Sequence, residues 1–216
     1  MHKIPNIAVI RLALYAKHLE MLHNDGVELV SSVKLAKMCG ANPAQIRKDL
    51  AYFGQFGVRG VGYYVNDLLN ALKEVMGTNR TWRLGLFGVG NLGKALLGFE
   101  QFAQRGFIFT AAFDKDIDLV GTEVQGMEIS QSEDIKEVIK GPGCFDIAVL
   151  ATGADRAQDC AMRIVEAGIH AILNFTPVRL VVPENVFVEN VDFTVRLHAL
   201  CYSLTTGSDV TQRHPR

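Results

Sequence analysis

The feature that most constrains the fold is a glycine pattern near the middle of the chain. Gly88, Gly90 and Gly93 form a complete G-x-G-x-x-G directly after the apolar run 82–87. In this pattern the first glycine permits a tight turn, the second lets a pyrophosphate approach the backbone, and the third lets a helix pack closely on a strand. The pattern predicts a strand, a phosphate-binding turn and a helix. The alternative is a tight turn without a ligand.

An acidic residue follows at the spacing that dinucleotide-binding folds use. Asp114 lies 21 residues beyond Gly93, close to the separation of about 20 that is typical of a ribose-binding acid. A carboxylate there can accept hydrogen bonds from both ribose hydroxyls, and it would repel a 2′-phosphate. This spacing favours NAD(H) over NADP(H) as the ligand, although the neighbouring Lys115 weakens that preference.

Alternating elements surround the glycine pattern. Strands are predicted at about 82–88, 107–113, 145–151, 171–174 and 187–191, a shorter one is predicted around Met127–Ile129, and helices are predicted at about 91–104, 131–140 and 154–167. Alternation of this kind is typical of a parallel sheet with helices on both faces. The second half of the chain is therefore predicted to be a doubly wound, Rossmann-type α/β domain.

The first half of the chain has a helical pattern. A strongly periodic helix is predicted at about 6–23, and Ser31 or Ser32 can cap a short second helix. Asn42, followed by Pro43 at the first helical position, is expected to begin a third helix. Two short helices joined by a tight turn indicate a helix-turn-helix.

A glycine-rich segment follows the third helix. Four glycines between positions 54 and 62 alternate with valines and tyrosines, a pattern that predicts turns and short strands and hence a β-wing. Asn66 is expected to cap a connecting helix that extends to about Met76. The predicted domains are a winged helix-turn-helix over 1–77, a Rossmann domain over 78–192, and a C-terminal helix and tail over 193–216.

The third predicted helix has two different faces. At about 100° per residue, Ile46, Leu50 and Phe53 share a stripe that should face the core. The opposite arc carries Gln45, Arg47, Lys48, Ala51 and Tyr52. In a major groove, arginine or lysine can bond guanine and glutamine can bond adenine, and Arg59 in the wing would suit a minor groove or a phosphate. The plainer alternative is a set of ordinary solvent-facing side chains.

The distribution of charge supports a nucleic-acid partner, although the total does not. The whole chain has a net charge of −1. Residues 1–76 carry +3 and the remaining residues −4, and the segment 31–64 holds five basic residues and one acidic residue. The basic segment coincides with the predicted helix-turn-helix and its wing.

Composition and motifs disfavour several classes of protein. Hydrophobic residues make up 49% and charged residues 21%, so extended disorder is not expected. We find no apolar run long enough for a membrane span and no signal peptide. The four scattered cysteines suggest neither a disulfide framework nor a zinc site, so a cytoplasmic location is expected. The six histidines form no recognisable catalytic constellation, and we expect no catalytic residue, no metal site and no substrate.

A final helix is predicted after the last strand. Phe193, Leu197, Leu200 and Leu204 lie on one apolar stripe, together with Cys201. Asp192 can cap this helix. The stripe packs either on its own domain or against a partner subunit.

Together, these segments resemble the Rex family of redox-sensing transcriptional repressors. The most specific matches are QIRKDLAYFG at 45–54 and GVRGVGY at 57–63, and others lie at 88–93, 174–177 and 189–193. The resemblance covers essentially the whole chain. It implies a homodimer with winged-helix N-terminal domains, Rossmann C-terminal domains and a last helix that is exchanged between subunits.

The resemblance also implies how the protein works. NADH binding closes the dimer and releases palindromic double-stranded operator DNA, whereas NAD+ competes with NADH and supports the DNA-bound form. By position, the implied DNA contacts are Asn42, Gln45, Arg47, Lys48, Tyr52, Arg59 and Gly60. The residues implied to hold NADH or NAD+ are Gly88, Val89, Gly90, Asn91, Leu92, Gly93, Asp114, Lys115, Thr152, Phe99 and Phe193, the last of these from the partner subunit.

Two positions depart from the pattern of the family. Phe99 stands where relatives often have a tyrosine, so a hydroxyl bond from that position to Asp192 is impossible. Lys17 stands where some relatives have an arginine that pairs with this aspartate, and a lysine can form a salt bridge but not a bidentate fork. Lys17 and Asp192 are the switch and interface residues that the resemblance implies.

Two other functions remain open from the sequence. One is a small NAD-dependent oxidoreductase with a basic helical appendage, and the other is a nucleotide- or CoA-binding module that serves as an enzyme subunit. The missing acid–base constellation disfavours the oxidoreductase. The outer arc of the third helix and Arg59 disfavour the enzyme subunit.

Overall fold

The contacts within the chain divide it into two units. The computed structural model describes residues 6–54, 56–58 and 60–208. One unit extends to Arg80 and includes the residues from Ala199 onward, and the other is Thr81–His198. The domain boundaries after residues 77 and 192 remain predictions.

The first unit begins with the helices that the sequence predicts. They are α1 (Asn6–Asn24), α2 (Ser32–Cys39), α3 (Pro43–Ala51) and α4 (Val65–Val75), and the short strands β1 (Leu29–Val30) and β2 (Tyr63–Tyr64) pair antiparallel. The predicted caps of α2 and α3 are confirmed. Ser31 Oγ accepts from Lys34 N at 3.1 Å, and Asn42 Oδ1 accepts from Ala44 N at 2.8 Å.

The predicted cap at Asn66 is wrong. The chain passes directly from β2 into α4, and Val65 N donates to Glu28 O at 2.8 Å. Asn66 therefore lies inside the helix, where its Oδ1 accepts from Asn70 Nδ2 at 3.4 Å. Tyr64, at the cap position, makes no side-chain cap bond.

The core of this unit contains the predicted stripe of α3. Ile46 and Leu50 are buried, and Phe53 packs against them from a partly buried position. Among its described residues, the glycine-rich segment has an isolated bridge between Val58 and Gly62. The residues at the end of the segment, Tyr63 and Tyr64, form β2 and pair with β1. Gln55 and Arg59 lie outside the described residues.

The second unit is built on a seven-stranded sheet with the order β5-β6-β4-β3-β7-β8-β9. The strands are β3 (Trp82–Phe87), β4 (Phe107–Asp114), β5 (Glu123–Val124), β6 (Met127–Gln131), β7 (Ile147–Leu150), β8 (Ala171–Asn174) and β9 (Phe187–Asn190). All neighbouring strands are parallel except β5 and β6. The predicted doubly wound fold is confirmed, as is the short strand around Met127–Ile129.

Two helices of this unit differ from the prediction. The helix predicted at 91–104 is divided into α5 (Asn91–Leu97) and α6 (Gln101–Gln104), with a break at Gly98 and Phe99. Glycine has a low helix propensity, which fits the break. In place of the helix predicted at 131–140, β6 ends at Gln131, a 3-10 turn covers Ser132–Asp134, and α7 covers Ile135–Val138.

The remaining helices are α8 (Ala154–Glu166), which packs on the sheet, and α9 (Phe193–Thr206). The predicted cap of α9 is confirmed, since Asp192 Oδ1 accepts from Thr194 N at 2.8 Å. No residue of α9 is buried in the single chain, although half of the helix is apolar. Within the described ranges, no helix is long and apolar enough to cross a membrane.

Candidate functional site

The glycine-rich loop connects the end of β3 to the start of α5. Gly88 has φ 95°, and a Cβ there would lie 2.7 Å from Ala151 O. A Cβ at Gly93 would overlap the carbonyl oxygen of Gly88. A Cβ at Gly90, in contrast, would meet nothing within 4 Å. The loop is therefore tightly packed at its two ends and open at Gly90, where a ligand phosphate can approach the protein backbone.

Asp114 holds this loop in place from the end of the neighbouring strand β4. Its Oδ2 accepts from Val89 N at 2.6 Å, and its Oδ1 accepts from Lys115 N at 2.7 Å and Asp116 N at 3.0 Å. The carboxylate thus lies at the carboxyl edge of β3 and β4, beside the glycine-rich loop. That edge is where open parallel sheets bind ligands.

A pocket of about 290 Å³ opens at the same edge of the sheet. It is lined by Gly88, Gly90, Asp114, Lys115, Ser132, Glu133, Ala151, Thr152, Gly153, Asp155, Arg156, Asp159, Cys160 and Arg163. The Oγ1 atom of Thr152 is buried and has no hydrogen-bond partner among the described residues. An unpaired buried hydroxyl is costly, and this one belongs to a residue that lines the pocket.

Charged residues also line the pocket. Arg163 bonds Glu133 at 2.6 Å, and Arg156 lies 3.5 Å from Asp155. Burial raises the pKa of the Cys160 thiol to about 12, so this cysteine remains a neutral thiol at physiological pH. The open glycine loop, the fixed Asp114 carboxylate and the unpaired Thr152 hydroxyl together fit a dinucleotide.

The structure brings only some of the predicted cofactor residues into this pocket. Gly88, Gly90, Asp114, Lys115 and Thr152 line it. The six others do not: Val89, Asn91, Leu92, Gly93, Phe99 and Phe193.

The two aromatic residues of that group are exposed. Phe99 has 47% of its surface exposed and packs edge-to-face on Phe102, with the ring centroids 5.3 Å apart. Phe193 is 59% exposed, and its ring centroid lies 6.3 Å from that of Phe175.

The outer face of α3 presents the predicted basic residues. Arg47, Lys48 and Tyr52 are exposed, whereas Gln45 is half-buried. Arg47 donates to Ser32 Oγ at 3.0 Å. Arg47 and Gly60 also line an open groove between the start of α2 and the wing. The predicted residue Arg59 lies outside the described residues.

A polar cluster that the sequence did not predict lies beneath this face. Asp49 of α3 has no exposed surface, and Arg11 of α1 donates to it through two nitrogens, at 2.6 Å to Oδ2 and 2.7 Å to Oδ1. Tyr15 Oη donates to Oδ2 at 2.8 Å, and Gln45 Nε2 donates to Oδ1 at 2.7 Å. We call Arg11, Tyr15, Gln45 and Asp49 the Asp49 cluster.

The hydrogen bonds of this cluster keep the carboxylate ionised. Burial by itself raises the pKa of Asp49, but the hydrogen bonds from Arg11, Tyr15 and Gln45 outweigh burial and lower it. Burial and the bond to Asp49 raise the pKa of Tyr15, and the hydrogen bond to Asp49 raises that of Arg11. The cluster therefore ties α3 to α1 through a charged, fully bonded group.

Known proteins match both halves of the chain. A family model described as "Putative DNA-binding protein N-terminus" matches residues 3–51, and one described as "CoA binding domain" matches residues 79–178. A redox-sensing transcriptional repressor Rex from Syntrophobacter fumaroxidans is 49% identical over 95% of this chain and 98% of its own. The chain belongs to the Rex family of redox-sensing transcriptional repressors. A further Rex repressor, from Maridesulfovibrio salexigens, is 46% identical over 94% of this chain and 97% of its own.

Solved structures of a Rex-family repressor, RSP, have the same fold. RSP in complex with β-NAD+ and operator DNA is 37% identical, with a TM-score of 0.88 over 95% of this chain and 94% of RSP. RSP in complex with β-NADH is 33% identical, with a TM-score of 0.84 over 96% of this chain and 97% of RSP. The predicted family and fold class, a DNA-binding N-terminal domain followed by a Rossmann-type domain, are therefore confirmed.

The positions that depart from the Rex pattern lie in different parts of this chain. Lys17 is exposed on α1, in the first unit. Asp192 precedes α9 in the second unit, and hydrogen bonds from Thr194 lower the pKa of its carboxyl group. Phe99 lies in the break after α5 rather than on a continuous helix. The role of each in a Rex switch remains a prediction.

Proposed function

We propose that the protein is a homodimeric repressor that binds palindromic operator DNA and releases it when NADH binds to the Rossmann domain. The likeness to RSP, which was solved with β-NAD+ and operator DNA, carries this proposal because it extends over 95% of the chain. The mechanism also assigns a function to both halves of the chain. The basic face of α3 reads DNA, and the pocket at the edge of the sheet reads the dinucleotide.

DNA recognition is assigned to the exposed face of α3 and to the groove beside the wing. Arg47 and Lys48 project from α3, where cations can bond guanine edges or phosphates, and the exposed Tyr52 follows at the C-cap of the helix. Asn42 lies at the start of this helix and Gly60 lies in the groove beside Arg47. Gln45 is assigned to an adenine edge.

Dinucleotide binding is assigned to the carboxyl edge of the sheet. Gly90 leaves room for the pyrophosphate, and Asp114 is fixed where a ribose hydroxyl can be bound. The negative charge of Asp114 disfavours a 2′-phosphate, so NAD(H) is preferred to NADP(H). Thr152 offers its unpaired hydroxyl near the nicotinamide end.

The last helix supports the proposal of a dimer. Phe193, Val195, Leu197 and Leu200 are each at least 47% exposed in the single chain, and Leu204 is 85% exposed. Clustered apolar surface of this kind marks an interface. We assign it to a partner subunit, so that Phe193 of the partner subunit and Phe99 border the nicotinamide. Deletion of residues 193–216 is expected to give monomers or aggregates, and a stable dimer would contradict the assignment.

The redox response follows from differential binding. NADH can shift the dimer only by the difference between its affinities for the closed and the DNA-competent shapes. Binding of NADH and of DNA must then be reciprocally antagonistic. A neutral dihydronicotinamide enters an apolar site near Phe99 at a lower desolvation cost than a charged nicotinamidium. Equal affinities for NADH and NAD+ would contradict this account.

In this proposal the protein is not an enzyme, and it acts in the cytoplasm. The curated relatives are named as transcriptional repressors, and a repressor works where the chromosome is accessible. Mixing the protein with NADH should leave the dihydronicotinamide absorbance unchanged over hours. Steady oxidation of NADH by the purified protein would favour the oxidoreductase.

The decisive experiment is an anisotropy titration on duplexes selected from a randomised palindromic pool. We expect specific binding by the free or NAD+-bound protein and release by NADH. Arg47→Ala should cost about 1–3 kcal/mol of specific binding. Lys37→Ala, an exposed basic residue on α2 outside the assigned surface, should cost little. Absence of sequence-specific binding with any dinucleotide would refute the proposal.

A further inference from the structure

We propose that Asp49 is a specificity-determining positioning residue: it fixes the orientation of the Gln45 amide so that Gln45 favours adenine over guanine. This inference rests on the proposed function, in which α3 enters the major groove. Asp49 itself is buried and touches no DNA in this assignment. It acts through the hydrogen bond from Gln45 Nε2 to Asp49 Oδ1, which is 2.7 Å long.

The chemistry of the pair determines how the amide is oriented. An ionised carboxylate only accepts hydrogen bonds, whereas a glutamine amide has two N–H donors and one carbonyl acceptor. The nitrogen of Gln45 must therefore face Asp49, because a carbonyl oxygen in that place would be repelled. One N–H is committed to Asp49. One N–H and the carbonyl oxygen remain for a base.

The remaining groups match one purine better than the other. Adenine presents the N7 acceptor and the N6 amino donor in the major groove, and guanine presents two acceptors, N7 and O6. One N–H beside one C=O complements adenine. A freely rotating glutamine can turn both of its N–H groups toward guanine, and the bond to Asp49 removes that option.

Asp49 is suited to this task because its own position is fixed. Arg11 bonds both carboxylate oxygens, and Tyr15 bonds Oδ2, so the carboxylate cannot rotate away from Gln45. Gln45 and Asp49 are also one turn apart on α3, where side chains at i and i+4 meet. The cluster therefore holds the Gln45 side chain in one position through hydrogen bonds that connect it, by way of Asp49, to α1.

The test compares base preferences rather than affinities alone. Bound duplexes are selected from a randomised palindromic pool and sequenced for the wild type, Gln45→Ala, Asp49→Asn and Tyr15→Phe. Gln45→Ala identifies the base pair that Gln45 reads. We expect Asp49→Asn to lower the adenine-over-guanine preference at that same base pair about tenfold. Gln45→Ala combined with Asp49→Asn should lose no more there than Gln45→Ala alone.

Tyr15→Phe is the matched control for a purely structural role. It removes a bond to Oδ2 and leaves the Gln45 bond to Oδ1 in place, so it should lower stability and keep the adenine preference. A uniform loss over all duplexes in Asp49→Asn, or an equal loss of preference in Tyr15→Phe, would overturn the inference. Absence of any preferred sequence for the wild type would instead refute the proposed function itself.

A measurement on the unaltered dimer applies if Asp49→Asn does not fold. With glutamine labelled by 15N, the Gln45 amide proton that bonds Asp49 should exchange with water more slowly than the other proton of the same amide, and its shift should move as Asp49 is protonated by acid. Equal exchange of the two protons, with shifts that do not respond to acid, would overturn the inference. A Gln45 amide held as expected, together with a loss of adenine preference in Gln45→Ala, would support it.

Discussion

The buried carboxylate of Asp49 in the first unit receives four hydrogen bonds, whereas the buried hydroxyl of Thr152 in the second unit has no partner among the described residues. Both groups lie close to the surfaces assigned to function. The first is satisfied entirely by protein groups from α1 and α3. The second belongs to a residue that lines an open pocket at the edge of the sheet.

This difference fits the two functions: DNA reading needs a rigid surface, and dinucleotide binding needs groups that are free to bond the ligand. A satisfied charged network holds a helix in one position before DNA arrives, and a protein surface that reads bases benefits from such rigidity. An unsatisfied hydroxyl costs stability in the ligand-free chain, and a ligand that bonds it recovers that cost. We therefore expect the first unit to keep its structure when DNA binds, and the second unit to gain stability when a dinucleotide binds.

The largest expected effect comes from leaving the Asp49 carboxylate without its cation. Arg11→Ala should lower the free energy of unfolding of the first unit by about 3 kcal/mol, because it strands a buried charge. Amide hydrogen exchange in α1 and α3 measures this unit separately. Lys73→Ala breaks the half-exposed pair with Glu20, 2.8 Å apart, and should cost less than about 1 kcal/mol. Similar losses in both variants would contradict the special role of the Asp49 cluster.

The second prediction concerns the loop that Asp114 holds. Asp114→Ala removes both the ribose acceptor and the bond to Val89 N, so NADH affinity should fall by about tenfold or more. Binding of the free protein to DNA should be largely retained. Asp116→Ala, two residues on, is the control. Calorimetry measures the first effect and anisotropy the second. Joint loss of both activities in Asp114→Ala would indicate misfolding of the chain.

The features of the second unit that the sequence predicts are local. The glycine spacing and the distance to Asp114 depend on one strand-turn-helix and the next strand, so a linear pattern is sufficient. The same holds for the caps at Ser31 and Asn42, which act within three residues. Asn66 is not a cap because β2, which pairs with β1, is followed directly by α4, and this helix already begins at Val65.

The Asp49 cluster could not be read from a linear pattern, because it joins positions 34 and 38 residues apart. A partial signal was present. Asp49 lies about 40° from Phe53 on the helical wheel, at the border of the buried stripe, where an acid needs a partner. Arg11 and Tyr15, four residues apart on α1, share a face that can supply one. The break of the helix at Gly98 and Phe99 was missed because the apolar periodicity continues through that glycine.

The third prediction has opposite signs for stability and binding. Thr152→Val removes an unpaired hydroxyl and keeps the shape, so the ligand-free second unit should gain up to about 1 kcal/mol in stability. NADH affinity should fall about fivefold, because the bound ligand loses its hydrogen bond to this hydroxyl. Thr110→Val is the matched control. Thr110 Oγ1 donates to Cys144 O at 2.9 Å, so that variant should lose about 1 kcal/mol. A loss of stability in Thr152→Val would show that its hydroxyl is already bonded.

The smallest effect is a pH dependence confined to the first unit. The pKa of Asp49 is lower in the folded chain than the value of about 3.9 expected when the chain is unfolded. Its contribution to stability is therefore fully present above about pH 5, and it is lost as pH falls through 3.9 toward the folded pKa. Tyr15→Phe removes one bond to the carboxylate and should cost about 1 kcal/mol at pH 7. That difference from the wild type should shrink as Asp49 becomes protonated, because a neutral carboxyl accepts a weaker bond. Hydrogen exchange of α1 and α3 amides between pH 3 and pH 7 measures it, and a difference that grew toward low pH would show that Tyr15 stabilises the protonated form instead.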